Sequence, residues 1–407
     1  MGCGLWEGSG LLVTKVNREF TLVAACCQWP PSPQRDTAIA DAATVDWARF
    51  LKVVNRHRVS GLVWNGLMRA GIEIPPDIAE ILKTEADRTT RSSLALCAET
   101  IRLQGLFDRA ELTCAFVKGV TLAVLAYGNL GIRHAKDIDM IVKDADLRAV
   151  GDLLATAGYR RQKPPGAISE AQLVLWRSYG KDMEWRHEAS GIELELHWRL
   201  SNISFLLREP IDFAALRPVA ITPAAGILTL PAPDLFVYLC VHGAAHGWCR
   251  LKWLADVHAL IADRPDDLIE NYYRLAKTKG AERAVGQALL LCADLFGLRL
   301  PVAMAAELRD SRAMTVLARL ARLCMTRGNA EIEIYDLPFG TTLISASHLL
   351  LAGGLRDWGA EIARKAVNLE DVLILPLPRS LGFLYWFLRG PLWLFRRVSN
   401  GWASPVK

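Results

Sequence analysis

The spacing of apolar positions changes several times along this chain, and each change marks a new element. From Asp36 to about Ala70, Val45, Trp47, Phe50, Leu51, Val54 and Val59 recur at helical spacing, after the breaker cluster Trp29-Pro30-Pro31-Ser32-Pro33. Pro75-Pro76 then opens a long helical pattern to about Glu111, as proline suits a first helical turn. Thr113 to Val117 predicts a short strand, Thr121 to Tyr127 a helix, Asn129 to Lys136 a loop and Lys136 to Val142 a second strand. Asp144 to Gly158 predicts a helix, with an aspartate near its start and glycine at its stop. Past a Pro/Gly loop near 164–166, Asp182–His187 and Gly191–Arg199 predict a hairpin turning at Glu188-Ala189-Ser190-Gly191. From Pro233 to Leu350 the pattern is mostly helical and without internal repeats, and Leu373 to Arg397 is dense in aromatic and apolar residues. The predicted class is α+β: an N-terminal helical segment (1–112), a small α/β domain (113–225) and a C-terminal helical domain with an aromatic tail (226–407).

Composition narrows the function classes. With 407 residues, 52% hydrophobic and 22% charged, the chain is long enough for substantial cores and too apolar for disorder. No run of eighteen apolar residues occurs, so no transmembrane segment is expected. The net charge of +5 forms no dense Lys/Arg block, so no nucleic-acid partner is expected. The nine cysteines form no CxxC pair and lie mostly in apolar helical patterns, as buried thiols of a reducing compartment do. The N-terminus Met-Gly-Cys-Gly lacks a secretory leader and, with Trp6, the acylation pattern, which together give a cytoplasmic reading.

The densest chemistry lies in Asp137-Ile138-Asp139. Successive strand side chains point to opposite faces, so Asp137 and Asp139 share one, with Ile138, Met140 and Val142 as core contacts. Like charges that close call for a divalent cation between them, as in two-metal phosphoryl or nucleotidyl transfer. In Gly191 to Trp198 the alternation puts Glu193, Glu195 and His197 on one face and Ile192, Leu194 and Leu196 on the other. Beside the Asp137 strand, Glu195 would complete a three-carboxylate site; a solvated strand face is the plainer alternative. Lys118-Gly119 ends a strand ahead of a helix, where glycine lets the backbone approach a phosphate and free N–H groups await an anion.

The order of these parts is the resemblance: a strand, Lys118-Gly119, a short helix to Tyr127, Arg133, Asp137-Ile138-Asp139, a helix, then Glu195-Leu196-His197-Trp198. It resembles nucleotidyltransferases of the DNA polymerase β fold, and more closely the bacterial branch called nucleotidyltransferase family 5. Val120 stands where the superfamily usually carries serine after the glycine, and the gap to Asp137 is longer than usual. The resemblance implies a polymerase β-type mixed sheet, a nucleoside triphosphate substrate and Mg²⁺, with a two-metal site on Asp137, Asp139 and Glu195. Lys118, Gly119, Thr121, Arg133 and His197 would contact the nucleotide. His242 to Asp256 is a second family-like segment, in which Arg250 and Lys252 would neutralise phosphates while Trp248 or Trp253 lies near a base or sugar. Interior histidines and core tryptophans are the alternative there, and zinc on His242 and His246 lacks a third ligand at suitable spacing.

The implied reaction moves a nucleoside monophosphate to an acceptor hydroxyl or phosphate. Family analogy adds a role in peptide natural-product maturation, with a peptide or phosphopeptide acceptor. A non-catalytic nucleotide- or peptide-binding module of the same fold is the alternative. The aromatic tail is expected to dock on the helical domain or a partner rather than to make peripheral membrane contact.

Overall fold

A computed structural model describes residues 17–399; Cys3 and the leader and acylation readings of the N-terminus lie outside the described residues. Four short helices come first. In α1 (Arg18–Cys26) the Asn17 side chain accepts from the Phe20 amide, and Ser32 caps α2 (Pro33–Ala42) in the same way. The single helical segment predicted over 36–70 is in fact divided. Asp46 accepts from the Arg49 amide to start α3 (Trp47–His57), and Arg58, at φ 56°, stops it before α4 (Ser60–Arg69). Capping chemistry overrides a continuous apolar stripe there. The long helix α5 (Pro76–Arg109) follows Pro75 as expected.

The sheet has five strands: β1 (Cys114–Phe116), β2 (Asp137–Val142), β3 (Tyr159–Lys163), β4 (Asp182–His187) and β5 (Glu193–His197). Their order is β1-β2-β5-β4-β3, with β2 parallel to β5 and every other neighbour antiparallel. Helices α6 (Gly119–Tyr127), α7 (Leu147–Thr156) and α8 (Glu170–Tyr179) fill the connections. The pattern reading found neither β3 nor α8, nor the hairpin of β6 (Arg217–Thr222) and β7 (Ala225–Thr229). β3 is an edge strand reading Tyr-Arg-Arg-Gln-Lys, with Arg160 and Gln162 exposed, so it carries almost no apolar signal.

One face of the sheet buries Met140, Leu194 and Leu196 against Leu103 and Phe107 of α5 and Val150 and Leu154 of α7. The other face carries the carboxylates and looks toward α9 (Ala232–Ala245) and α10 (Leu251–Ile261). Behind these stand α11 (Asp266–Thr278), α12 (Glu282–Phe296), α13 (Val302–Asp310), α14 (Arg312–Thr326) and α15 (Gly340–Leu351). A single apolar cluster joins them to the N-terminal helices, running from Phe20 and Phe50 to Leu254 and Leu289. The eight described cysteines are unpaired and buried.

After α16 (Leu355–Ala366) and α17 (Leu369–Ile374), the aromatic tail forms α18 (Leu384–Ser399). Its docking side is small. Tyr385 and Leu392 pack with Leu175 of α8 and Val372 of α17, and the Tyr385 hydroxyl donates to Leu375 O at 2.6 Å. Among the described residues no helix is long and apolar enough to cross a membrane.

Candidate active site

Parallel pairing of β2 with β5 decides what meets. The register sets Asp139 opposite Glu195 and Asp137 opposite Glu193, all on the face toward α9 and α10. His197, two residues beyond Glu195, returns to that face, and its Nε2 lies 3.3 Å from Asp139 Oδ1 and 3.3 Å from Glu195 Oε2. Asp139, Glu195 and His197 each offer a ligand atom, and these atoms lie within 4.8 Å of one another. Glu193 leaves the cluster for an outward ion pair with Lys136 at 2.6 Å.

Lys118 enters from the end of β1, and its ammonium donates to Asp139 Oδ1 beneath the Tyr238 ring of α9. It sits there because Gly119, at φ 54°, turns the chain into α6 in a conformation that a side chain would strain. Asp139 Oδ2 takes no hydrogen bond among the described residues, which leaves it open to a cation. Two carboxylates are hard oxygen donors and the imidazole a borderline one, a set that could hold a divalent metal ion.

The titration behaviour has the same origin. Burial pushes Asp137 up to about 6, helped by the negative charges of Asp139 and Glu195 and opposed by Lys118 and Lys252. Burial would raise Asp139 too, but Lys118 and His197 hold it well below the usual carboxylate range. Burial and Lys181 work against a charged His197, yet its bonds to Asp139 and Glu195 leave it raised. Lys252 is lowered to about 7, first by burial and then by Arg133.

A stability prediction follows for Asp137. It keeps its proton to about pH 6 when folded but releases it near ~3.9 when unfolded. Between those values the folded state binds more protons, so this contribution to stability falls as pH rises through the window. Asp137→Asn should therefore stabilise the ligand-free protein at pH 7, on the order of 2 kcal/mol. Urea unfolding should show the gain shrinking toward pH 4. A variant less stable than wild type at pH 7 would mean the three carboxylates do not strain one another.

The other expected site residues divide into two groups. Lys118, Gly119, Asp137, Asp139, Glu195 and His197 lie together, and Lys252 is within electrostatic reach of Asp137. Thr121 is fully buried, its hydroxyl donating to Phe116 O at 3.0 Å, so it braces the turn rather than facing the cleft. Arg133 is likewise internal, with Nε and an Nη each 2.9 Å from the two oxygens of Asp256. Arg250 pairs with Glu333 at 2.8 Å and lies over the Trp253 ring. Trp248 is buried at 0% exposure with its ring against Gly243, so of the two tryptophans only Trp253 can face a ligand. His242, His246 and Trp253 form an aromatic wall, with ring centroids 4.7 to 5.4 Å apart.

Sequence reasoning missed Arg58 and Lys181. Arg58, with no ion pair among the described residues, is within electrostatic reach of Glu333 and Asp137, and burial, then Lys252 and Arg58, depress His134. Nothing local in the sequence marks it. Lys181 lies 3.5 Å from His197 Nδ1, beside Asp182, whose register partner is His197. The alternation Asp182, Glu184, Arg186 was a usable signal, since the hairpin aligns that face with Glu193, Glu195 and His197.

The profile of a family described as uncharacterised nucleotidyltransferase matches residues 43–297. That span runs from the approach to α3 through α12 and contains every residue of the cluster. No curated protein matches the chain.

Proposed function

The chain belongs to this family of uncharacterised nucleotidyltransferases, and from that premise we propose that it transfers a nucleoside monophosphate from a nucleoside triphosphate to an acceptor hydroxyl or phosphate. The observation that carries the reading is the Asp139–Glu195 register with Asp137 on the same face. Asp137, Asp139 and Glu195 would hold Mg²⁺, which when bound supplies charge for the phosphates and stabilises the attacking and leaving oxygens.

The remaining roles fall to the chain itself. One of the three carboxylates would accept the proton of the incoming hydroxyl. Lys118, Lys252 and Arg58 supply positive charge along the cleft, and the first amides of α6 add donors at the Gly119 turn. The Arg133–Asp256 pair fixes that turn against α10, since Arg133 also reaches Gly119 O at 3.4 Å. The wall of His242, His246 and Trp253 suits a base or sugar, as flat rings stack on flat rings. A peptide or phosphopeptide acceptor is part of this proposal on family analogy alone.

Incubation with each nucleoside triphosphate labelled at the α-phosphate tests the reading, with pyrophosphate release and label on an acceptor as the result expected. Tight nucleotide binding without pyrophosphate, across triphosphates and acceptors, would turn the reading toward a binding module. Lys118→Ala and Lys252→Ala should each weaken triphosphate binding by about 1–3 kcal/mol, the range for a hydrogen bond to a charged group. Isothermal titration at fixed ionic strength reads this, and unchanged affinity in both variants would remove the two lysines from the site. Lys252 is the cleaner case, since it has no ion-pair partner among the described residues to leave behind.

A further inference from the structure

Helix α18 docks through Tyr385, Leu388 and Leu392, with Arg389 donating to Lys365 O of α16, and leaves most of its aromatic side chains exposed. Phe383, just before it, is 61% exposed, Trp386 56%, Phe387 72%, Trp393 49%, Leu394 57% and Phe395 55%. The exposed surface continues onto α16, where Leu355 is 88% exposed, with Trp358 and Ile362 beside it. Between the two helices and residues 198–211 runs a groove of about 1110 Å³, lined in part by Trp198, Leu206, Ile362, Phe383 and Trp386. Isolated exposed apolar residues are ordinary, but this many exposed aromatic residues on one helix, beside an apolar groove, mark a docking face.

Charge identifies the occupant. After Asp371 the sequence has no acidic residue, while Arg379, Arg389, Arg396, Arg397 and Lys407 are basic. Those five residues equal the formal net charge of the whole chain, +5, so everything before them is balanced. The acidic side chains nearby on α16 are already engaged, Asp357 with Arg208 and Glu361 with Arg364. Aside from the docked Tyr385, α18 from Leu384 to Arg397 offers no polar side chain that is not an arginine. A protein partner would ordinarily meet a mixed polar rim around the apolar centre. Tryptophan, phenylalanine and leucine with arginine, and no acid, is instead the composition of a helix that lies in a lipid headgroup layer.

We propose that α18, with the adjoining face of α16, docks on the surface of an anionic lipid bilayer. The apolar side chains enter the headgroup boundary while the arginines meet lipid phosphates. With no helix that could cross a membrane among the described residues, the contact is peripheral and reversible. It is independent of the chemistry proposed for the cleft.

Co-sedimentation of the full chain with vesicles tests this, using phosphatidylcholine alone and an equal mixture of phosphatidylcholine and phosphatidylglycerol. The expected result is binding to the mixed vesicles, weakened by salt and much weaker on phosphatidylcholine alone. Trp386→Ser/Phe387→Ser/Trp393→Ser should abolish it while thermal unfolding stays unchanged. Arg396→Gln/Arg397→Gln, which leaves the apolar residues and the Arg389 contact to Lys365 intact, should lower the partition coefficient at least about fivefold and keeps the test decisive if the triple variant unfolds. Wild-type protein that ignores the mixed vesicles overturns the proposal, as does equal binding by both variants. Self-association without lipid that the triple variant abolishes would overturn it by assigning the face to a second copy of the chain.

Discussion

Replacing Asp139 with asparagine is expected to abolish nucleotidyl transfer, by about 10³-fold or more. A cation that stabilises phosphoryl charge is worth several kcal/mol, and each 1.4 kcal/mol is a decade in rate. Burial works against the Asp139 charge, but Lys118 and His197 hold it ionised well below the usual carboxylate range, at the centre of the cluster. Asparagine keeps the volume and an oxygen that can still accept from Lys118, so circular dichroism and unfolding should stay near wild type. Glu195→Gln should resemble it, since Glu195 shares both the register and the His197 contact. Label transfer at the wild-type rate in a folded Asp139→Asn protein would end the metal-site reading and leave the family membership standing.

The second large effect is on stability. Asp256 is 2% exposed and takes both of its partners from outside α10: Arg133 at 2.9 Å to each oxygen, and the Tyr127 hydroxyl at 2.9 Å. Asp256→Ala would leave a buried guanidinium beside Lys252 with no counter-charge. Breaking one side of such a pair typically destabilises by about 3–5 kcal/mol. Asp256→Asn keeps an acceptor for Tyr127 and should lose less. Denaturant unfolding of the two variants ranks them, and an alanine variant within about 1 kcal/mol of wild type would show that water or a rearranged Lys252 compensates. The triphosphate affinity of the surviving folded protein should also fall, because Arg133 braces the Gly119 turn.

These two residues mark what the sequence could and could not convey. Asp139 was legible because strand alternation is local: two positions of separation fix a shared face, and the same rule on Glu193, Glu195 and His197 supplied the partner strand. The long helix, the carboxylate strands and the helical second half were legible for similar reasons, since each carries its own period. The single helix expected over 36–70 failed because the Asp46 cap and the left-handed Arg58 are discrete backbone events that leave the apolar stripe unbroken. Strand β3 was hidden by being an edge, where polar side chains are tolerated. The duties of basic residues were the hardest to read. Arg133 and Arg58 are both arginines beside loops, yet one is locked on Asp256 and the other has no ion pair among the described residues. Only the packing of α10 and α3 around the sheet separates them.

The parallel pairing of β2 with β5 also bears on how the protein is made. Its two carboxylate strands are joined by a crossover that holds β3, β4 and two helices, so their meeting is a long-range closure rather than a local hairpin. Closures of that kind come late in folding, after nearby contacts have formed. Lys252 and Asp256, which balance the cleft and anchor its turn, follow later still in synthesis. A ribosome that has delivered β2 therefore holds out a strand with β1 on one edge, two mutually repelling carboxylates and nothing yet on the edge that β5 will fill. A ligand held by that cleft can therefore stabilise only a chain whose sheet and α10 are already in place.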